Sequence, residues 1–214
     1  MTSRRPLVLG LTGSIGMGKS AAAAHLRRLG VPVHDADAEI HRLLREDPSA
    51  ISAVEAAFPG VLRNGWIDRR ELGRRVFGDG AALNRLESLL HPRVRQGASR
   101  FLRRAAAERI PVVALDVPLL FETGSQGRCD LVIVVSAPDF VQAGRVLHRP
   151  GMTGERLAAI LARQTPDALK QRWADFVVPT GLDRRTALQA LGRVVTLARR
   201  GQVRRPQLCG HRHA

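Results

Sequence analysis

Leu7-Val8-Leu9-Gly10-Leu11-Thr12-Gly13-Ser14-Ile15-Gly16-Met17-Gly18-Lys19-Ser20 is the stretch that decides the fold. Its apolar half, entered from Pro6, reads as a buried strand. Its second half fills every fixed position of the pattern Gly-x-x-x-x-Gly-Lys-Ser/Thr. Behind it the alanine-rich segment Lys19 to Leu29, with Leu26 and Leu29 on one face and Gly30 as a stop, reads as a helix. Strand, glycine turn and helix in this order turn backbone N–H groups inward, where they cradle phosphate oxygens at a helix N-terminus. In such a loop Gly13, Ser14, Ile15, Gly16, Met17, Gly18, Lys19, Ser20 and Ala21 line a nucleotide. Lys19 reaches the β- and γ-phosphates, and the Ser20 hydroxyl ligates Mg²⁺. The plainer alternative is a glycine-rich turn without a ligand. Taken alone, the motif gives nucleoside-triphosphate binding and no reaction.

Working outward, Val31-Pro32-Val33-His34 reads as a second strand that runs into Asp35-Ala36-Asp37. Pro111 to Asp116 is a third, Asp130 to Val135 a fourth and Ala174 to Val178 a weaker fifth, followed by an amphipathic helix over Thr186 to Arg199. Apolar strands separated by helices make an α/β protein with a parallel sheet covered on both faces. Residues 38–109 carry helical spacings instead, such as Ile51/Val54/Phe58 and Leu83/Leu86/Leu90. Breaks fall at Pro48, Pro59-Gly60, Gly78 and Pro92, Asp68-x-x-Glu71 resembles a capping box, and no strand is expected there. The expected organisation is a core over 1–37 and 110–199, a helical insertion over 38–109, a small lid over 140–170 within the core, and a loose basic tail over 200–214.

The chain has 214 residues, of which 44% are hydrophobic and 25% charged, the profile of a folded domain. No apolar run approaches the length of a membrane span, and the five apolar residues Leu7 to Leu11 behind Arg4-Arg5 are too few for an export signal. Cys129 and Cys209 lack disulfide-framework or zinc spacing, so a reducing cytoplasm is the default. The net charge of +15 raises nucleic acid as a partner, yet no acid follows Asp183 while eight arginines do, which makes much of the excess C-terminal. With 4% aromatic residues and no tyrosine, a stacking platform for single strands is poor. Only two of the 34 basic residues are lysines, Lys19 and Lys170, and lysine retained in an arginine-using chain invites a specific explanation.

The base-reading Asn-Lys-x-Asp of a regulatory GTPase is missing, because neither Asn64 nor Asn84 precedes lysine. The third strand ends Asp116-Val117-Pro118 rather than in the acidic pair usual for helicases and motor ATPases. A helical insertion between the second and third strands suits an acceptor-binding module of a small-molecule kinase. Asp116 then stands where the acidic partner of a phosphate loop holds Mg²⁺, or else caps the following turn.

Several blocks together resemble one family: Leu11 to Ser20, Asp35-Ala36-Asp37, Leu90-His91-Pro92, Asp116-Val117-Pro118-Leu119-Leu120-Phe121-Glu122, Gln142-x-x-Arg145 with Arg149, Gln164, and Ala174-Asp175. These are similar to dephospho-CoA kinases over about residues 7 to 198. The resemblance implies a P-loop NTPase/kinase fold with five parallel strands in the order 2-3-1-4-5. It further implies transfer of the ATP γ-phosphoryl group to the ribose 3′-hydroxyl of dephospho-CoA, with ATP and Mg²⁺ required. Another small-molecule kinase, of nucleosides or shikimate, and a nucleic-acid-binding ATPase remain the competing readings. Met17, Ala21 and Pro179 depart from the family pattern, and Pro179 stands where an asparagine is common.

Within this resemblance, Asp35 at the end of the second strand accepts or orients the acceptor hydroxyl proton, the alternative being a helix cap. Asp37 is an acceptor-site residue or a second cap. Pro118, Leu119, Leu120 and Phe121 form a wall of the acceptor site, and His91 and Arg93 join it, guanidinium forks being suited to a pyrophosphate. Arg145 and Arg149, four apart on one helical face, form a lid over the transferring phosphoryl group, with Pro150 to Thr153 as hinge, unless they are ordinary surface arginines. Gln164 and Lys170 are further nucleotide-site candidates. His211-Arg212-His213 reads as a flexible end rather than a metal site. No membrane association is expected, and nucleic acid only through the tail.

Overall fold

Residues with their apolar side chains on both faces of successive strands build the centre of the molecule, which a computed structural model describes over residues 5–203. In chain order the first half comprises β1 (Leu7–Thr12), α1 (Lys19–Arg28), β2 (Val33–Asp35), α2 (Ala36–Glu46), α3 (Pro48–Ala57), β3 (Leu62–Arg63), β4 (Trp66–Ile67), α4 (Arg69–Val76) and α5 (Gly80–Ala107). The second half comprises β5 (Val112–Asp116), β6 (Leu131–Ser136), α6 (Asp139–Leu147), α7 (Gly154–Leu161), α8 (Asp167–Trp173), β7 (Phe176–Pro179) and α9 (Arg184–Arg199), with a 3₁₀ turn at Ser125–Arg128 before β6.

The five-stranded sheet has the order β2-β5-β1-β6-β7. Setting aside the two short strands β3 and β4, this is the expected 2-3-1-4-5. β1 runs parallel to both neighbours, Leu9 lying opposite Ala114 of β5 and Leu131 of β6. β6 and β7 are parallel too, with Ile133 opposite Phe176. The period of two sorts the side chains. Leu9, Leu11, Leu131, Ile133 and Val135 join one cluster with Ala22, Ala23 and Leu26 of α1 and Leu191, Val194, Val195 and Ala198 of α9. Val132 and Val134 face the other way and pack with Leu120. Both faces are therefore dry, as a parallel sheet requires.

The chain divides into two compact units, one of the residues up to His34 and from Ala105 onward, the other of Asp35–Arg104. The second has its own core, formed by Leu44, Val54, Phe58, Val61, Ile67, Leu72, Leu86 and Leu90. Two expectations for it are corrected. A strand pair does exist: β3 and β4 pair antiparallel, Leu62 with Ile67 and Arg63 with Trp66, around Asn64 and Gly65, both at positive φ. With two residues per strand, the segment leaves no alternation long enough to register as a strand. Nor does Pro92 break the helix, since α5 continues through it. The proline removes only the N–H that would serve Ser88 O, and in the same turn Arg93 Nη1 donates to Leu89 O at 2.7 Å. Asp68 does cap α4, accepting from the N–H groups of Arg70 and Glu71.

Among the described residues no helix is long and apolar enough to cross a membrane. The tail beyond Val203, with Arg204, Arg205, Cys209, His211, Arg212 and His213, lies outside the described residues.

Candidate active site

The site grows out of the end of β1. Gly13 has no room for a side chain, because a Cβ would meet the Val135 side chain and stand 2.7 Å from the Val135 carbonyl oxygen. Gly18, at φ 86°, lets the loop turn into α1 and serves as its N-cap. No side chain caps α1, and no acid stands in its first turn, so its N-terminal N–H groups and dipole remain available to an anion. Lys19 Nζ lies 2.6 Å from Asp116 Oδ1, at the carboxyl end of β5. The aspartate side chain is only 3% exposed, so the two charges meet largely out of water. Ser20 follows, exposed on the first turn of α1.

The loop is held from outside by residues distant in sequence. Ile15 is gripped on both peptide groups: its N–H donates to Gln164 Oε1 at 3.1 Å, and its carbonyl accepts from Gln142 Nε2 at 2.7 Å. The Ala137 N–H points at Met17 Sδ, 3.1 Å away, so Met17 is a buried part of the loop's support. Thr180, just after β7, donates its hydroxyl to Met17 O at 2.7 Å. Arg145 Nη2 donates to Thr180 O at 2.6 Å, and its Nη1 lies 3.4 Å from Gly16 O. Lys170 Nζ, fully buried, reaches Ser14 Oγ at 3.3 Å and Glu122 Oε1 at 3.0 Å. Thr180, Gln142 and Glu122 are the residues for which sequence reasoning found no role. Gln142 and Glu122 stand inside the quoted blocks, whereas nothing in the sequence marks Thr180. Pro179 occupies the end of β7 opposite Ser136, and the contact to the loop comes from its neighbour.

Arg149 is not on a helical face with Arg145, because α6 ends at Leu147 and Arg149 stands in the turn beyond, with Gly151 at φ 74°. Leu120 is fully buried against Val132 and Val134, which makes it a core residue rather than part of a ligand wall; Pro118, Leu119 and Phe121 stay partly exposed. Phe121 meets Trp173 edge-on at 5.4 Å. Asp35 ends β2 and caps α2 by accepting from the Ala38 N–H at 3.0 Å, while Asp37 lies exposed in the first turn of that helix. His91 is half-buried on α5. Arg93 is committed to carbonyls of its own unit, Leu89 O and Ser49 O.

Burial and the neighbouring Asp130 push the Cys129 thiol up to about 12, which removes it as a nucleophile at neutral pH. No group of three or more His, Cys, Asp or Glu side chains converges as a metal cage among the described residues. The donors near the loop, a hydroxyl at Ser20 and one carboxylate at Asp116, nevertheless fit Mg²⁺. That ion takes one or two protein oxygens and completes its octahedron with phosphate oxygens and water.

A family model described as dephospho-CoA kinase matches residues 7–182. The dephospho-CoA kinase of Paramagnetospirillum magneticum is 63% identical over 164 residues, covering 77% of either chain. That of Rhodospirillum rubrum is 59% identical over 197 residues, covering 91% of this chain and 93% of the relative. A crystal structure from Thermus thermophilus has a TM-score of 0.79 at 36% identity, covering 90% of this chain and 97% of that one. With a phosphate loop, a sheet order and relatives that agree, this chain belongs to the dephospho-CoA kinase family and is a kinase.

Proposed function

We propose that the protein transfers the γ-phosphoryl group of ATP to the ribose 3′-hydroxyl of dephospho-CoA, giving CoA and ADP by direct displacement without a covalent enzyme intermediate. The observation that carries this reading is the 2.6 Å Lys19–Asp116 pair beside an uncapped helix N-terminus, which gathers a cation, a carboxylate and free N–H donors in one loop. Gly13 to Ala21 wrap the phosphates of ATP, and Lys19 turns from Asp116 to the β- and γ-phosphates as charge moves onto them. Ser20 and Asp116 would hold Mg²⁺, which would supply charge neutralisation across the phosphate chain. Arg145, anchored on the loop through Gly16 and Thr180, places its guanidinium to stabilise the transferring group, with Arg149 on the adjoining turn. Residues 140–170 act as the lid over this group.

Asp35 takes the proton of the attacking hydroxyl. Its place at the carboxyl end of β2 supports this role, since ligands of open α/β sheets collect at that end. Asp37, His91, Arg93, Pro118, Leu119 and Phe121 are assigned to the acceptor side. The enzyme is assigned to the cytoplasm.

The test is an ADP-release assay with dephospho-CoA, nucleosides, shikimate and RNA offered in parallel. Turnover with dephospho-CoA alone is expected, and equal turnover with any other acceptor would replace the reading. Asp35→Asn is expected to remove most turnover while ATP still binds; near-normal turnover would take Asp35 out of the mechanism. Arg145→Met is expected to lower kcat about 100-fold, and a change in ATP affinity alone would deny it the transferring group.

A further inference from the structure

Lys170 has no part in the mechanism above, yet it is the largest fully buried side chain among the described residues. It sits on α8, with Nζ 3.0 Å from Glu122 Oε1 and 3.3 Å from Ser14 Oγ. Glu122 follows β5 by six residues and is itself pinned, its Oε1 accepting the Thr165 N–H at 2.7 Å. The preceding residue, Gln164, accepts the Ile15 N–H. Polar contacts thus tie together three short stretches of chain: the nucleotide loop at Ser14 and Ile15, the turn after β5 at Glu122, and the approach to α8 at Gln164, Thr165 and Lys170. Removing an ammonium from water is costly, and a pair so placed is often replaceable by apolar residues without loss of stability. The chain uses arginine at all other basic positions except Lys19. An ammonium is compact and can aim separate N–H bonds at a carboxylate and a hydroxyl, which a planar guanidinium fork does not match.

We propose that Lys170, held by Glu122, is a positioning residue that fixes Ser14 and with it the first turn of the nucleotide loop in the conformation that receives ATP. Acting through Ser14 rather than on the phosphates, it governs how well ATP seats and not the phosphoryl-transfer step. Glu122 extends the same tie to the segment Val117 to Phe121, so the loop and that segment share one anchor. This rests on Gly13 to Ser20 being the ATP loop.

Steady-state kinetics and thermal melting on five variants test it. Lys170→Met is expected to raise the KM for ATP about tenfold or more with kcat changed less than about threefold, and to lower the melting temperature. Ser14→Ala is expected to raise the KM for ATP severalfold at an unchanged melting temperature. Adding Ser14→Ala to Lys170→Met should cost nothing further, since both remove one contact. The charge-free pair Glu122→Met/Lys170→Met separates positioning from plain stability: melting should recover while the KM for ATP stays high. Recovery of both would overturn the proposal, as would a kcat loss at unchanged KM. Should Lys170→Met not fold, Ser14→Ala and the charge-free pair decide alone. Lys19→Met distinguishes the premise. If it too leaves ATP handling intact, the loop assignment fails; if it abolishes turnover while Lys170→Met and Ser14→Ala behave as wild type, only the positioning role falls.

Discussion

Around the nucleotide loop, Lys19 and Lys170 keep 15% and 0% of their side chains exposed, and each meets a carboxylate from a distant part of the chain, Asp116 or Glu122. In the helical unit, Arg42, Arg74 and Arg75 keep 41%, 75% and 37% exposed and meet Glu39 or Glu71 three or four residues away. The opposite charges are equally close in the two regions, but their energetic weight differs. A buried charge left without its partner destabilises by several kcal/mol, whereas an exposed helix pair contributes a few tenths. Abundance of arginine therefore describes the surface, and the two rare lysines mark the site.

The sharpest break in this contrast comes from Lys19→Met. Turnover should fall about a thousandfold, because a cation aimed at developing phosphate charge is lost. The fold should also lose stability, because the enclosed Asp116 side chain loses this cation. Lys19→Met/Asp116→Asn should regain stability and remain inactive. ADP release and thermal melting read the two effects separately, and an active single variant would remove Lys19 from its role.

Glu122 gives the second test, through pH. Burial pushes its carboxyl up, but its own backbone N–H, the Thr165 N–H and the Lys170 ammonium together outweigh this and leave it below the ordinary glutamate value of 4.5. A carboxyl lowered in the folded state stabilises fully above its unfolded value and loses that contribution as the pH falls through the folded one. The melting-temperature gap between wild type and Glu122→Gln should be constant near neutrality and close progressively below about pH 4.5. A gap that widened on acidification would contradict the pairing.

Glycines sharpen the comparison in a third way. A Cβ at Gly13 would meet the Val135 backbone, which cannot step aside, so Gly13→Ala should cost about 1–3 kcal/mol and displace the loop. At Gly97 the obstacle is the Glu39 carboxylate, the far end of a flexible side chain. There the helix gains about 0.5–1 kcal/mol from alanine, set against the disturbed Glu39–Arg42 pair, so Gly97→Ala should cost less than Gly13→Ala. Denaturant melts of both variants check the difference.

The same contrast explains what could be read in advance. The phosphate loop is contiguous, and its glycines, lysine and serine are fixed by local geometry, so eight residues sufficed to recognise it. Strand existence was legible for the same reason, from apolar runs, while the strand order came from the family resemblance and not from any pattern in the runs. Contacts spanning more than a hundred residues were not legible: Gln142 on Ile15 and Thr180 on Met17 leave no spacing to detect. Arg149 was misplaced because four-residue spacing implies a shared face only while the helix lasts, and α6 stops two residues short of it. Leu120 was misplaced because an apolar run after a strand does not reveal which member turns back under the sheet.

The smallest effects belong to α4, where Arg74 and Arg75 share Glu71. Arg74 is the more exposed of the two, so Arg74→Ala should change stability by less than about 0.5 kcal/mol and leave turnover unchanged. Arg75 also donates to the Pro59 carbonyl, binding α4 to the turn that ends α3. Removing it hands that exposed carbonyl to water and unties α4 from the turn, so Arg75→Ala should cost about 0.5–1 kcal/mol. A double variant with Glu71→Ala isolates the reason. If the loss from Arg75→Ala persists when Glu71 is already gone, the carbonyl contact carries it, and proximity of charge on this surface counts for little. If the loss vanishes with Glu71, the exposed pair is stronger than its surroundings allow, and the division between enclosed lysines and solvated arginines would need redrawing for this helix.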